Sequence, residues 1–314
     1  MALVNRKIGY DEVETRDLRF NMDSSKVSKY WYNNDPWNTL FMSAILAAVP
    51  DGERWVMQSA RKQLEKLTDP AIRKAGIEFI HQERIHAREH DVMNKACIEH
   101  GIPLDDIENT FKKARMFLQK NLSISVQGGL AAAFEHFTAV MSSVLLEHPE
   151  VFKDTNPELV GMLYWHFVEE SEHKSVSFDV FTDAAGGGNR AYFIRVATMA
   201  SAAIGGAPVF VLPFAYLLYK TKQMTNFSSA KNLFEIQFGN PGVMKKVGKM
   251  FFPYFRRDFH PWDDDNRAVL HAWKEEYNKS GDTTAAFHAL CDWAAKNKGT
   301  DFSYQESKPS MAAV

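Results

Sequence analysis

Apolar residues recur at helical spacing through most of the chain after residue 30, and helix start and stop signals separate the periodic stretches. Asp69-Pro70 and Asn156-Pro157 each place a capping side chain before a proline at the first helical position, and Gly101 suits a helix C-terminus. The pattern predicts helices over 37–49, 50–67, 70–100, 103–120 and 122–147, from 157 to the Gly186–Gly188 break, and over 266–298. The fold class is therefore predicted to be all-α.

One segment departs from this amphipathic pattern. Val196 to Tyr219 contains 24 residues without a charge, which is long enough to cross a membrane as a helix. Pro208 and Pro213 would interrupt such a helix. Three interpretations remain open: a spanning helix, a helical hairpin dipped into one leaflet, or an element buried in the interior or in an oligomer interface. We therefore expect the segment to contact lipid, a partner chain in a homodimer, or the core.

Composition narrows the class of protein and its compartment. The net charge of −2, with 24% charged residues, argues against a nucleic-acid partner. Cys97 and Cys291 match no metal-binding spacing and no disulfide framework, and the N-terminus lacks the apolar core of a secretory signal. We predict a cytoplasmic protein, with any membrane contact on the inner face. Its predicted parts are an arm (1–30), a helical bundle (31–188) and a hydrophobic and helical extension packed on the bundle (189–314).

The strongest chemical signal is a pair of Glu-x-x-His motifs, Glu83/His86 and Glu170/His173. Three residues of helix turn through about 300°, so the carboxylate and the imidazole of each motif project from one face. Each motif can supply two ligands to a metal from a single rigid helix. Either motif alone is more often a solvated surface pair.

Two further carboxylates precede the motifs, Glu53 one helix before the first and Glu135 one helix before the second. Glu135 lies in a helix rich in small apolar residues, where an unpaired carboxylate would be costly to bury. The order Glu, Glu-x-x-His, Glu, Glu-x-x-His is the ligand set of ferritin-like di-iron and di-manganese bundles. The sequence thus predicts a ferritin-like four-helix bundle around two metals bridged by Glu53 and Glu135, with a crossover containing the 103–120 helix.

Two further histidines are candidates for the metal site, and the sequence leaves their roles open. His90 and His166 return to the faces of Glu83 and Glu170, and each is predicted to be an additional ligand or a hydrogen-bond partner of a ligand. Glu169 and Glu172 point elsewhere in helical register. The small residues beside Glu135 are expected to leave space for oxygen and substrate.

Several blocks together resemble the bacterial proteins called predicted metal-dependent hydrolases. They are VPDGERWVMQSAR, QERIHAREH, AAAFEHFTA, WHFVEESEHKSVSFDVF and FRRDFHPWDDDN, and the resemblance spans roughly residues 15 to 280. It implies a metal site at Glu53, Glu83, His86, Glu135, Glu170 and His173, with His90 in a matching block. Trp55 stands where the family pattern has phenylalanine.

The predicted donor set suits iron or manganese better than zinc or calcium. We expect two Fe ions, or Mn/Fe, with dioxygen as cosubstrate, in an oxidoreductase that hydroxylates, desaturates or N-oxygenates a small organic substrate. The apolar 196–219 segment suggests a hydrophobic, lipid-like substrate taken from a membrane surface. The electron donor is not identified by the sequence. The alternatives are a hydrolase in which two metals activate water, and a metal-storage or structural protein.

Overall fold

The computed structural model describes residue 10 and residues 13–299, with the backbone alone at residues 207 and 208. Within these residues all regular structure is helical, which confirms the all-α prediction. The α-helices are α1 (Pro36–Leu46), α2 (Val49–Gln63), α3 (Pro70–Glu99), α4 (Asp105–Asn121), α5 (Ile124–Leu146), α6 (Pro157–Glu172), α7 (Val176–Ala184), α8 (Gly188–Lys220), α9 (Phe227–Phe238), α10 (Val243–Phe251), α11 (Arg267–Ser280) and α12 (Thr283–Lys298). Four 3-10 helices lie at Leu64–Lys66, Pro149–Phe152, Phe252–Phe255 and Pro261–Asp263.

The helix boundaries that carried local signals lie where the sequence predicts them. The Asp69 side chain accepts a hydrogen bond from the backbone N–H of Ala71 (2.8 Å) at the start of α3. Asn156 caps α6 in the same way. Gly101 follows α3 with φ of +79°, the left-handed conformation that glycine adopts without steric cost. Short-range capping chemistry therefore fixes both ends of α3 and the start of α6.

Helices α2, α3, α5 and α6 form the bundle, and their cross-contacts fix its topology. Two contacts for each helix pair show that α2 is antiparallel to α3 and α5, and that α6 is antiparallel to α5 and α3. The contacts join residues 64/76 and 54/91, 52/134 and 63/128, 145/164 and 135/173, and 82/172 and 90/166. Consequently α3 and α5 run in the same direction. The chain must return along the bundle between them, and α4 makes that return. This single long crossover is the connectivity of ferritin-like bundles.

Two predicted helices are interrupted. The helix expected to run from 157 to the glycine break ends at Glu172, and α7 begins at Val176. At the interruption, His173 faces the bundle interior while Lys174 Nζ donates to Asn266 Oδ1 (2.8 Å), so adjacent side chains serve opposite sides of the chain. The helix predicted over 266–298 divides into α11 and α12 at Gly281, whose φ is +68°.

The charge-free segment forms the continuous helix α8, so the predicted interruption at its prolines is wrong. An internal proline removes only one hydrogen bond of a helix that continues on both sides. Both ends of α8 pack on the protein, through buried Arg195 at one end and buried Leu217 and Leu218 at the other. A continuous helix does not fit the hairpin interpretation. Whether α8 contacts lipid or a partner chain stays a prediction.

Helix α5 also has the length and apolar composition of a membrane span, but 72% of its apolar window is buried, against 12% for α8. The difference identifies α5 as a core helix and α8 as an exposed one. Helices α8 and α10 pack on α5, α8 and α9 on α1, and α11 and α12 on α6. The part of the predicted arm from 13 to 30 contains no helix and lies against α3 and α6, where the ring of Phe20 is 5.3 Å from that of Trp165. Residues 1–9, 11 and 12 lie outside the described residues, and the domain boundaries at 30 and 188 stay predictions.

Candidate metal centre

The bundle brings all six predicted ligands together in its interior. Glu53 comes from α2, Glu83 and His86 from α3, and Glu135 from α5, while Glu170 lies on α6 and His173 directly follows it. None of the six is more than 2% exposed. That these side chains bind metal stays a prediction, but the structure places them where they can share one site.

One group of possible ligand atoms surrounds His173. Its Nε2 atom lies 3.1 Å from Glu83 Oε1, 3.2 Å from Glu135 Oε2 and 3.6 Å from Glu170 Oε2. Protein nitrogen and oxygen ligands bind transition metals at about 2.0–2.2 Å, so adjacent ligands of one ion lie about 3 Å apart. The three carboxylates and the imidazole therefore have the spacing of a single metal position, here called the His173 position.

A second group surrounds His86. Its Nδ1 atom lies 3.7 Å from Glu83 Oε1 and 3.7 Å from Glu170 Oε1. Glu53, His86 and His166 can also place one ligand atom each within 4.8 Å of one another. These contacts define the His86 position, which has Glu53 on its outer side.

The carboxylates of the two Glu-x-x-His motifs lie between the two positions. Glu83 and Glu170 each approach both His86 and His173, whereas Glu53 belongs to the His86 position and Glu135 to the His173 position. That Glu53 and Glu135 bridge the metals stays a prediction, whereas this geometry places Glu83 and Glu170 between the two positions. In each motif the glutamate lies one turn from its histidine at the centre of the bundle, where it can face both ions.

Unsatisfied polar atoms provide a test of whether metals fit. Buried groups normally have hydrogen-bond partners, and an unpartnered buried carboxylate is especially costly. Among the described residues, buried atoms without a hydrogen-bond partner include both carboxylate oxygens of Glu53, Glu83 and Glu135, with Glu170 Oε2, His86 Nδ1 and His173 Nε2. These atoms converge on the two positions. The donor set thus fits two divalent cations.

The pKa values of the buried carboxyl groups also indicate that this centre is suited to bind cations. Burial and the neighbouring carboxylate Glu83 raise the pKa of Glu53 and of Glu135 well above the ordinary value. Burial would also raise the pKa of Glu170, but His173 and His166 together hold it well below the usual range. Without cations the centre must keep protons that a metal would displace.

The two additional histidines form a pair at the His86 position. His90 Nε2 and His166 Nδ1 are 2.9 Å apart, and each is 3.9 Å from Glu53 Oε1. His166 Nε2 also lies 3.2 Å from Glu170 Oε1. Burial lowers the pKa of both imidazoles, which keeps them neutral and suited to metal binding. His166 belongs to a ligand-capable group and His90 contacts it, so His166 has the stronger geometry for an additional ligand.

Behind the histidines lies a buried network that sequence reasoning missed. His86 Nε2 donates to Glu169 Oε2 (3.0 Å), and Glu169 Oε1 accepts from Trp165 Nε1 (2.9 Å) and Arg16 Nη1 (3.1 Å). Arg16 also contacts Glu172. The Trp165/Glu169 spacing of four residues was a signal for this contact. The role of Arg16 had none, because it comes from a distant arm without helical periodicity.

His173 has a comparable partner. Its Nδ1–H donates to Gln82 Oε1 (3.0 Å), and Gln82 Nε2 donates to Glu172 Oε2 (3.3 Å). The Arg16–Glu172 pair therefore supports both histidines, through Glu169 on one side and Gln82 on the other. Such outer partners fix the tautomer and the orientation of metal-binding imidazoles.

Replacing Arg16 with alanine is expected to weaken metal binding about 10- to 100-fold, the usual effect of losing an outer partner. Two buried carboxylates, Glu169 and Glu172, would lose their shared cation, and His86 would lose its fixed orientation. Competition with a metallochromic chelator measures the affinity. Arg19→Ala, an exposed arginine of the same arm, is the matched control. Equal affinity in the two variants would show that Arg16 does not support the histidines.

The two glycines near the start of α5 lie against neighbouring helices, while the space expected beside Glu135 stays a prediction. A Cβ atom at Gly128 would lie 2.5 Å from Gln63 Oε1, and one at Gly129 would lie 2.8 Å from Thr198 Oγ1. The glycines therefore allow α2 and α8 to approach α5 closely. Two surface clefts of about 420 and 460 Å³ are lined by other residues than the six predicted ligands.

Comparison with known proteins adds one decisive match. Residues 14–265 match the family described as predicted metal-dependent hydrolases. The chain belongs to this family. No curated protein and no solved structure matches the chain. The family description agrees with metal dependence and favours the hydrolase alternative, while it lends no support to dioxygen as a cosubstrate.

Proposed function

We propose that the protein is an oxidoreductase that uses dioxygen at a di-iron, or Mn/Fe, centre to oxidise a hydrophobic organic substrate. The observation that supports this most is the donor set: four buried carboxylates and two imidazoles, with Glu83 and Glu170 between the two positions. Oxygen-rich sets with imidazole suit iron and manganese. Four carboxylate charges would balance two divalent ions and stabilise higher oxidation states.

The surroundings of the centre are consistent with this chemistry. The ring of Phe79 contacts the His173 ring (4.8 Å) and that of Trp165 contacts the His86 ring (4.9 Å), both edge to face. These aromatic walls exclude water from one side of each imidazole. A small apolar molecule such as dioxygen can enter a buried site more readily than a hydrated, charged substrate. Bound iron would supply the electrons for oxygen reduction, and the chain would hold the ligands in place through Gln82 and Glu169.

A second candidate is metal-assisted hydrolysis, which the family description favours. In this case the two cations would activate water without a redox cycle. The carboxylates could then accept the proton of that water. Zinc enzymes of this type more often use imidazole-rich ligand sets, but His90 and His166 raise the number of nearby imidazoles to four.

One experiment separates the two candidates. Metal-free protein is loaded anaerobically with ferrous ion and then exposed to air in an oxygen electrode, with reductant and candidate substrates. We expect rapid oxygen uptake in proportion to bound iron, and near-ultraviolet absorption from ferric iron. Glu83→Ala and His173→Ala should abolish uptake, whereas Glu99→Ala, an exposed glutamate of the same helix, should not.

The zinc-loaded protein is assayed in parallel against a panel of esters and amides under nitrogen. Hydrolysis by this form, together with a ferrous form that is inert to oxygen, would overturn the oxygenase proposal and favour the second candidate. Metal binding without either reaction would instead favour metal storage or a structural site.

A further inference from the structure

The helices on the α1 and α5 side of the bundle present an unusual outer surface. Large apolar side chains are exposed along α8, α9 and the 3-10 helix after α10. The most exposed are Phe193, Ile204, Val211, Leu212, Tyr219, Phe227, Phe234 and Phe252, each at least 60% exposed. Exposure of this many large apolar side chains favours a contact with a partner or a membrane. We call the outer faces of α8, α9 and α10 the basic–apolar face.

Helix α9 exposes apolar side chains on its outer face. Phe227, Lys231, Phe234 and Phe238 recur at the spacing of one helical face, and all four are exposed. The inward face buries Leu233 together with two polar residues, Ser229 and Gln237. Ser229 is held there by hydrogen bonds with Asp35 and with the backbone N–H of Trp37. The aromatic stripe is therefore directed outward by specific polar contacts beneath it.

Charge identifies the kind of partner. Residues 190–257 contain ten basic side chains and a single acidic one, Glu235, in a chain whose net charge is −2. In α10 the exposed residues Lys245 and Lys249, followed by Phe252 at the start of the next 3-10 helix, form a second mixed stripe, opposite buried Val243 and Val247. Aromatic and aliphatic side chains interleaved with lysines are typical of helices that lie in the interface of an anionic bilayer.

A second copy of the chain fits this surface less well. A homodimer through the basic–apolar face would place two strongly positive segments against each other, and like charges at an interface oppose association. Both ends of α8 pack on the bundle, which favours a helix that lies at the membrane surface over one that crosses the bilayer. We propose that the protein binds peripherally to anionic lipid bilayers, with the basic–apolar face inserted at the level of the headgroups.

Vesicle sedimentation tests this proposal with the full-length protein. The probes are phosphatidylcholine vesicles and vesicles with about 30% phosphatidylserine, a composition that attracts basic surfaces. We expect binding to the anionic vesicles, and a loss of about fivefold in affinity for each basic residue removed at low salt. Lys245→Glu/Lys249→Glu should therefore weaken binding more than tenfold, and so should Ile204→Asp/Leu212→Asp. Circular dichroism confirms that each variant is folded.

Matched controls lie elsewhere on the surface. Lys95→Glu/Lys279→Glu removes two exposed lysines, and Ile77→Asp removes an exposed apolar side chain of α3. Both should bind vesicles within about twofold of the parent after correction for net charge. Equal binding to the two vesicle types, or no binding to either, would overturn the proposal. A dimer in light scattering that Ile204→Asp/Leu212→Asp converts to a monomer, without vesicle binding, would show that a second copy covers the face.

Discussion

Removing the metals is expected to lower the melting temperature by on the order of 10 °C. A ligand present at a thousandfold excess over its Kd stabilises the folded state by about 4 kcal/mol per site, and in a chain of this size about 1 kcal/mol shifts the melting temperature by about 2 °C. The physical cause is the cluster of buried carboxylates, whose oxygens lack hydrogen-bond partners. Scanning calorimetry before and after chelation measures the difference.

The size of this stabilisation should depend on pH in a defined direction. The pKa values of Glu53 and Glu135 in the folded, metal-free protein lie well above their ordinary values because of burial and like charges. Protons on these groups stabilise the metal-free fold at low pH, and that contribution is lost as pH rises through the folded pKa values. Metal binding displaces the same protons and strengthens with pH. The difference in melting temperature between the loaded and metal-free protein should thus widen from about pH 6 to about pH 8.

Restoring the metal provides the control for chelator effects, since manganese or ferrous ion added back should recover the higher melting temperature. Metal analysis must confirm that the chelated sample is metal-free. An unchanged melting temperature in such a sample would mean that the bundle tolerates the carboxylate cluster without cations. A difference that narrows as pH rises would contradict the assigned protonation of Glu53 and Glu135.

The parts of the fold that were predictable depend on local chemistry. The bounds of α3 follow from Asp69 and Gly101, which act within one turn of the helix. The crossover by α4 followed from the lengths between the motifs. The interruption at His173 could not be predicted in this way, because it depends on contacts of Lys174 with residues about ninety positions later in the chain. The helix propensities of the local residues contain no information about such a long-range contact.

The candidate site was also predictable only in part from the sequence. The spacing of the Glu-x-x-His motifs was sufficient to gather the six side chains, since helical periodicity determines which residues share a face. It was not sufficient to decide which carboxylates lie between the two histidines, because that depends on how the helices pack against one another. Arg16 was unpredictable for another reason. Its function arises from the path of a non-helical arm across α3 and α6, and no periodic pattern specifies that path.

The small residues of α5 could have either of two structural roles. Small residues can either line a cavity or allow close helix packing, and the sequence alone does not separate these outcomes. Around Gly128 and Gly129 the neighbours fill the space, so packing is the outcome. Beside Glu135, further along α5, space for a substrate stays a prediction.

Loss of a bridging carboxylate is expected to empty both metal positions, whereas loss of a terminal carboxylate should empty one. Glu83 lies within ligand distance of both His86 and His173, so Glu83→Ala removes a donor from each position. Glu135 contacts only the His173 position in this geometry, and Glu53 belongs to the His86 position. We therefore expect about two metals per chain in the parent protein, as a two-metal helical bundle implies. We expect about one metal in Glu135→Ala and in Glu53→Ala, and almost none in Glu83→Ala.

Plasma emission spectrometry on protein loaded with manganese or ferrous ion and then desalted measures these stoichiometries. Glu99→Ala, on the same helix as Glu83 but exposed, should retain the parental content. Circular dichroism must show that Glu83→Ala remains helical, and Glu83→Asp, which keeps the charge on a shorter side chain, should recover part of the metal. Glu83→Ala with one metal and Glu135→Ala with none would reverse the assignment and return the bridge to Glu135. Such a result would mean that the carboxylates move when the cations bind, because the distances from His173 to Glu83 and Glu135 differ by only 0.1 Å in this structure.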